Sequence, residues 1–191
     1  MRAGRGRSAE CAARSVRGLM VLNLTRCDIR SWEPGDLRSL VHHGNNRKIW
    51  ENLRDRFPFP YTFNDGAAFL KQARNASPDT LFAIAVDDVA IGGIGVALQR
   101  DVERISAELG YWIGEEFWGR GIVSEAVPAI TRYALETYGL TRIFALPFAH
   151  NTASCRVLEK SGYVLEARLH RSAIKDGHIV DQCQYAFVIG G

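Results

Sequence analysis

The sequence predicts an α+β domain with a mixed, mostly antiparallel central sheet flanked by helices. Three observations support this fold class: a block of three consecutive strand patterns, a strand–helix–strand pattern after it, and two long strand patterns at the end. Strands joined by short turns pair antiparallel, whereas strands separated by a helix can pair in parallel. The elements follow the order β-α-α-β-β-β-α-β-α-β-β, which is typical of α+β proteins.

The first half of the chain places two helical segments between strand patterns. Pro34 is tolerated in the first turn of a helix, where its missing N–H is harmless, and Asn64 or Asp65 is a good N-cap. Pro58 and Pro60 disfavour helix at the residues before them, so we expect a stiff extended loop there. The predicted elements are a strand over Leu22–Arg30, a helix over 36–43, a loop over 44–63 and a helix over 64–77.

The second half of the chain is divided by recognisable turns. Asp87-Asp88 and Asp176-Gly177 each separate two strand patterns, and Asp-Gly is typical of a type I′ hairpin turn. One helix ends at Gly139, a common C-terminal residue, and carries apolar residues at every fourth position. The predicted elements are strands over Leu81–Val86, Val89–Leu98 and Arg104–Ile113, a helix over Gly121–Tyr138, a strand over Arg142–Phe148, a helix over Thr152–Lys160, and strands over Val164–Lys175 and His178–Ile189.

The positive charge of the chain is confined to its first residues. The 191 residues include 24 Lys+Arg and 21 Asp+Glu, for a formal net charge of +3. Residues 1–19 hold five arginines and one glutamate, so the remaining residues carry a net charge of −1. We expect 1–19 to be a disordered basic leader, with a transit peptide or an upstream start before Met20 as alternatives, and 20–191 to be a single domain. A body without a basic stripe argues against nucleic acid as a partner.

Other patterns narrow the class of protein further. No apolar run approaches the roughly 20 residues of a membrane-spanning helix, so we expect no membrane association. Four widely spaced cysteines without a C-x-x-C pair predict reduced thiols and a cytoplasmic location. Five histidines without an H-E-x-x-H pattern give no indication of a metal site.

A glycine-punctuated loop between a strand and a helix is the first candidate ligand site. The strand ends at Ile113, and the loop leads directly into the helix predicted to begin at Gly121. Backbone N–H groups at such a turn, together with the helix dipole, favour an anion such as a pyrophosphate. A tight turn without a ligand is the alternative for an isolated G-x-G. The amides concerned belong to Trp118, Gly119, Arg120, Gly121, Ile122 and Val123.

Four segments, taken in order, carry a family resemblance. They are A-E-L-G-Y-W-I at Ala107–Ile113, W-G-x-G-x-x-x-E-A at Trp118–Ala126, N-x-x-S-x-x-V-L-E-K-x-G-Y at Asn151–Tyr163 and D-G-x-x-x-D at Asp176–Asp181. Over roughly residues 20–190, the chain resembles the RimJ/RimL-like branch of the GNAT superfamily of acetyl-CoA-dependent N-acetyltransferases. The resemblance implies the GNAT fold, acetyl-CoA as co-substrate, and a primary amine as acceptor, either a protein N-terminus or a small molecule.

The resemblance also implies roles for individual residues. Glu108 would be the general base, although it could also be a solvated residue on an alternating strand. Ser154 would assist the leaving thiolate, or else be only a first-turn helix residue, and Asn151 would orient the cofactor, cap the helix, or do both. An N–H near Trp112 or Ile113 would polarise the thioester carbonyl. The implied cofactor contacts are Trp112, Ile113, Trp118, Gly119, Arg120, Gly121, Ile122, Val123, Asn151 and Ser154.

Two departures from the family pattern raise an alternative function. Glu116 stands where the family usually has Gln or Arg, so we expect its carboxylate to point away from the phosphates. Leu158 stands where many members have a proton-donating tyrosine, and we interpret Tyr111 and Tyr163 as core aromatics. A non-catalytic acetyl-CoA-binding sensor of the same fold is therefore the alternative to an enzyme.

Three further features have more than one interpretation. The aromatic residues Trp50, Phe59 and Tyr61 either wall an acceptor pocket or belong to the core. The tandem His42-His43 at a helix end is interpreted as a surface pair favoured by the helix dipole. The long C-terminal hairpin offers edges that could join two subunits as a homodimer.

Overall fold

The computed structural model describes residues 20–190, and the leader predicted over 1–19 lies outside them. Within this described range, eight strands form a single sheet and five α-helices flank it, which confirms the predicted α+β class. The elements are β1 Val21–Asn23, β2 Asp28–Ser31, α1 Leu37–Gly44, α2 Arg47–Trp50, α3 Phe63–Asn75, β3 Leu81–Val86, β4 Val89–Leu98, β5 Ser106–Ile113, α4 Ile122–Tyr138, β6 Arg142–Ala145, α5 Thr152–Lys160, β7 Val164–Lys175 and β8 His178–Val188.

The sheet is mixed, with a single parallel pair among the described strands. Its order is β1-β2-β3-β4-β5-β6-β8-β7, and only β5 and β6 run parallel. The helix α4 makes the crossover between these two strands, as the strand–helix–strand pattern predicts. Asp87 and Asp88 at one hairpin turn have φ of 48° and 65°, and Asp176 and Gly177 at the other have φ of 50° and 75°. Positive φ at both central residues is the signature of the type I′ turn.

Helices cover both faces of the sheet. On one face, α4 buries Ala126, Ile130 and Ala134 completely, in one core cluster with Leu158 of α5. On the other face, α1 and α3 pack over a second cluster that includes Trp32 and Leu70. Within residues 20–190, no helix combines the length and the apolarity needed to cross a membrane.

The structure corrects the predicted first strand. Leu22–Arg30 is not continuous, because the chain reverses between β1 and β2, and the Leu24 N–H donates to the Cys27 carbonyl at 3.0 Å. The carboxylate of Glu125 on α4 accepts hydrogen bonds from the backbone N–H groups of Thr25 and Arg26 at 2.8 and 3.0 Å. A carboxylate from a distant helix thus stabilises a turn that the local sequence does not announce.

The structure also corrects the loop predicted over 44–63. Four of its residues form α2, whose first turn is capped by the Asn46 side chain accepting from the Lys48 N–H at 2.8 Å. The next helix, α3, has Thr62 rather than Asn64 or Asp65 as its N-cap. Thr62 and Asp65 satisfy each other's backbone N–H groups in a capping box, which sets the start of α3 before the predicted residue.

Candidate functional site

The strands β5 and β6 separate at the centre of the sheet. Their pairing covers Ser106–Glu108 of β5 only, whereas β4 follows β5 along its whole length. Hydrogen bonds from Gln99 N to Ser106 O and from Gly114 N to Ile91 O show which residues of β5 direct their backbone N–H and C=O groups towards β4. The residues between them direct these groups to the other side. The backbone groups of Leu109, Tyr111 and Ile113 therefore face the gap between the two strands, while those of Trp112 face Gly93 on β4. Of the two predicted carbonyl-polarising amides, this geometry favours Ile113.

The loop that leaves β5 ends at a helix N-terminus without a side-chain cap. Gly119 and Gly121 have φ of 73° and 76°, in the left-handed region that glycine adopts without strain. Gly121 is the N-cap of α4, and as a glycine it supplies no side chain that could cap the first turn. The first-turn N–H groups of α4, together with the positive end of its dipole, can accept an anion. The glycine backbone and the helix end have the geometry that the predicted anion site requires, and the site itself stays a prediction.

Three cationic side chains and the carboxylate residue Glu125 line a cleft of about 650 Å³ at this helix end. The predicted Arg120 contributes to it, and so do Arg26 from the β1–β2 turn and Lys160 from the end of α5. The sequence did not indicate either Arg26 or Lys160 as a residue of this cleft. Lys160 was visible as the lysine closing the N-x-x-S-x-x-V-L-E-K segment, but Arg26 is brought in only by the turn that Glu125 holds.

Glu116 lies away from the cleft, as expected. Its Oε1 is 3.3 Å from Nδ1 of His43 and 3.6 Å from Nε2 of His42. The prediction of a surface histidine pair is wrong for His43, whose side chain is 9% exposed, because its ring packs against Phe117. Burial lowers the pKa of His43. Within residues 20–190, the donor atoms of His42, His43 and Glu116 lie within 4.8 Å of one another; the expectation of no metal stays a prediction.

On one face of the gap, Ser154 forms a hydroxyl pair with Tyr111. The two oxygens are 2.7 Å apart, and the Tyr111 hydroxyl also lies 3.3 Å from the Ser154 carbonyl. The Asn151 side chain accepts from the Ser154 N–H at 3.0 Å, which confirms Asn151 as the N-cap of α5. Leu158, at the position of the family's tyrosine, is fully buried in the core.

On the opposite face, Glu108 meets a cation. Since side chains alternate along β5, Glu108 lies on the same face as Trp112. The ring centroids of Trp112 and Phe57 are 5.5 Å apart. The Glu108 carboxylate accepts from the Arg54 guanidinium at 2.6 Å, and 28% of its side chain is exposed. Glu108 and Ser154 therefore approach the gap from its two faces.

The three predicted acceptor-pocket aromatics separate into two groups. Tyr61 is a core residue, 3% exposed and stacked on Phe57 at 4.5 Å. Trp50 and Phe59 lie nearer the surface, with ring centroids 5.9 Å apart. The Lys175 ammonium sits 3.8 Å from the Trp50 ring centroid.

The loop from Trp118 to Gly121, called the anion loop below, is hydrogen-bonded to the end of β5 through the Trp118 indole. Its Nε1–H donates to the Ile113 carbonyl at 3.0 Å, which occupies one backbone acceptor at the mouth of the gap. The Arg120 guanidinium stacks over the Phe117 ring at 5.1 Å. Both contacts are made by the loop whose residues Gly119 and Gly121 line the cleft.

Comparisons with known proteins agree with this architecture. Residues 26–164 match the family model described as an acetyltransferase (GNAT) domain. An uncharacterized N-acetyltransferase, YoaA of Bacillus subtilis, is 37% identical over 99 residues, or 51% of this chain and 55% of that protein. The ribosomal-protein-serine acetyltransferase of Escherichia coli is 28% identical over 109 residues, or 57% of this chain and 60% of that protein. The chain thus spans about half the length of the curated relatives it matches.

A solved structure shares the fold over nearly its whole length. It is RimL, a ribosomal L7/L12 alpha-N-protein acetyltransferase in complex with coenzyme A, with a TM-score of 0.77 and 18% identity. The match covers 87% of this chain and 96% of that one. The family match spans most of the chain and includes the gap, the anion loop and the whole of α5. This chain therefore belongs to the GNAT acetyltransferase family.

Proposed function

We propose that this protein transfers the acetyl group of acetyl-CoA to a primary amine. The observation that carries the proposal is the open gap between β5 and β6, which leads to an uncapped helix N-terminus surrounded by Arg26, Arg120 and Lys160. A long thioester whose pantetheine arm leads to a pyrophosphate has the shape and charge for this surface. The RimL neighbour of the same fold was solved with coenzyme A.

The proposed cofactor contacts follow the backbone. The pyrophosphate would bind the amides of the loop from Trp118 to Val123, with Arg120 as counter-ion. The pantetheine arm would lie along β5 like an added strand, against the backbone groups that Tyr111 directs into the gap beyond the pairing with β6. The Ile113 N–H would polarise the thioester carbonyl.

The proposed chemistry places a base on one side of the thioester and a thiolate partner on the other. Glu108 would accept a proton from the acceptor, directly or through water, because only a neutral amine attacks a carbonyl. The C–N bond forms, the C–S bond breaks, and the electron pair stays on sulfur. Ser154 would donate a hydrogen bond to that sulfur from the opposite face, and Asn151 would hold the Ser154 turn in place.

The acceptor class has two proposed members, a protein N-terminal α-amine and a small-molecule amine. The E. coli relative is named a ribosomal-protein-serine acetyltransferase, which supports the first. Trp50 and Phe59 are proposed as apolar walls on the Glu108 side. We further propose a cytoplasmic location and a homodimer formed through the C-terminal hairpin, where the cross-strand pair Ile174 and Ile179 is 67% and 52% exposed.

The proposal is tested by measuring the turnover of acetyl-CoA with a panel of amines and N-terminal peptides as acceptors. The release of free thiol reports the rate. We expect Glu108→Gln and Ser154→Ala each to lower kcat/KM by about 10²-fold or more. The exposed Glu103→Gln is the matched control and should behave as the wild type. Unchanged kcat/KM in both variants would refute the assigned roles.

The same assay addresses the sensor alternative. The buried Leu158, which supplies no donor, and the ion pair that occupies Glu108 favour such a module. A sensor would show a rise in melting temperature with acetyl-CoA and no thiol release with any acceptor.

A further inference from the structure

Tyr111 lies at the point where β5 has left β6 but has not yet reached the anion loop. Its side chain reaches from β5 to α5. Its hydroxyl therefore lies 2.7 Å from the hydroxyl of Ser154, which is 43 positions further along the chain. Each hydroxyl carries one proton and can accept others. The contact therefore decides where the Ser154 proton can point.

We propose that Tyr111 is the positioning residue of the leaving-thiol step: its hydroxyl donates to Ser154 Oγ and thereby aims the Ser154 proton at the coenzyme sulfur. This inference rests on the proposed function and deepens it. It also corrects our interpretation of Tyr111 as a core aromatic only. Tyr163, the other tyrosine so interpreted, is indeed buried, and its hydroxyl pairs with Thr131 Oγ1 at 2.7 Å.

The proton balance of the step is simple. As the C–S bond breaks, its electron pair stays on sulfur, and the Ser154 O–H donates a hydrogen bond to the thiolate. Burial raises the pKa of Tyr111 to about 12, so its hydroxyl keeps its proton at neutral pH and remains a donor. A thiol has a pKa near 8.5, so the proton has no reason to pass from Tyr111 to sulfur.

The opposite polarity of the pair makes a different prediction. Ser154 would then donate to Tyr111, whose own proton would point at the Ser154 carbonyl 3.3 Å away. In that arrangement Tyr111 competes with sulfur for the Ser154 proton, and removing its hydroxyl would help the thiolate. The sign of the effect of Tyr111→Phe therefore distinguishes the two arrangements.

The test needs no acceptor. Coenzyme A is bound to the protein, and the ultraviolet absorbance of its thiolate is followed against pH. We expect the bound thiol to have a lower pKa than free coenzyme A, and Tyr111→Phe to raise that bound pKa by about half to one unit, as for the loss of one hydrogen bond. The control Tyr163→Phe, which also removes one buried hydroxyl paired with one Oγ, should leave the bound thiol pKa unchanged.

A second variant guards against misfolding of the first. Ser154→Ala should raise the bound thiol pKa at least as much as Tyr111→Phe, and the double variant should add nothing, because the two hydroxyls act in series. With an active acceptor, Tyr111→Phe should lower kcat by about threefold to tenfold and leave the KM of the amine unchanged.

The outcomes separate this inference from the function on which it rests. A bound thiol pKa that is unchanged or lower in Tyr111→Phe overturns the role of Tyr111 and leaves the acetyltransferase proposal standing. Failure of coenzyme A to bind the wild-type protein overturns both.

Discussion

Gly121 gives the anion loop two properties, a left-handed backbone and an open approach to the helix end. Replacing Gly121 by alanine perturbs both. Its φ is 76°, and an added Cβ would lie 3.6 Å from the nearest atom, Nε of Arg26, which is ordinary contact. The cost to stability is therefore conformational. Left-handed backbone costs alanine about 1–2 kcal/mol, partly offset by the smaller entropy of its unfolded state.

A matched control exists at the other end of the same helix. Gly139 has φ of 62°, and an added Cβ would meet nothing within 4 Å. We expect both substitutions to lower the free energy of unfolding by about 1 kcal/mol, which is a fall of about 2–4 °C in Tm. Only Gly121→Ala should also weaken the binding of coenzyme A, because its methyl group enters the cleft beside Arg26.

The size of the binding loss follows from the hydrogen bonds at stake. A hydrogen bond to a charged phosphate contributes about 1.5–3 kcal/mol, so losing one backbone contact raises Kd by about 10-fold to 100-fold. Isothermal titration with coenzyme A measures Kd, and thermal unfolding measures the shared stability cost. Equal Kd values for Gly121→Ala and Gly139→Ala would refute the assignment of the helix end as the phosphate site.

Three further predictions concern the core, the cleft and an ion pair. Ile130→Ala should cost about 2–5 kcal/mol in urea unfolding, because the side chain is fully buried, whereas the 72% exposed Val102→Ala should cost under about 0.5. Lys160→Ala should weaken coenzyme A binding about threefold to tenfold at low salt, and a loss that does not shrink at high salt would contradict an electrostatic role. Arg142 lowers the pKa of Glu166 from its ordinary 4.5 to about 2, so this pair stabilises the fold above pH 4.5 and loses its effect as pH falls towards 2. In acid-unfolding experiments, Arg142→Ala should not show this loss of stability. In the wild type, solvent screening limits the loss to about 1 kcal/mol.

Most regular elements could be predicted because their signals are local. The helix Thr152–Lys160 and the strand Val164–Lys175 have the predicted bounds, since an N-cap asparagine and a type I′ turn lie next to them in the chain. The β1–β2 reversal could not be predicted in this way. Its stabilising carboxylate belongs to Glu125, about a hundred positions away, and no pattern between residues 22 and 30 carries that information.

The residues of the candidate site also differ in whether a local sequence signal predicts their role. The glycine loop was recognisable because positive φ demands glycine at Gly119 and Gly121. The pairing of Tyr111 with Ser154, and that of Glu108 with Arg54, depend on where β5 lies against other elements of the fold. The family resemblance identified two of these four residues, Glu108 and Ser154, as chemically relevant, whereas Tyr111 was interpreted as a core aromatic. Only the packing shows which hydroxyl or charge each residue meets.

The hydrogen bonds from the β1–β2 turn to Glu125 also affect the dynamics of the sheet edge. The amides of Thr25 and Arg26 are held by a helix side chain and not by a neighbouring strand, so their hydrogen exchange depends on the first turn of α4. Local opening of that turn would release these two amides together with the helix end that lines the cleft. A ligand that orders the helix end should therefore slow hydrogen exchange at Thr25 and Arg26.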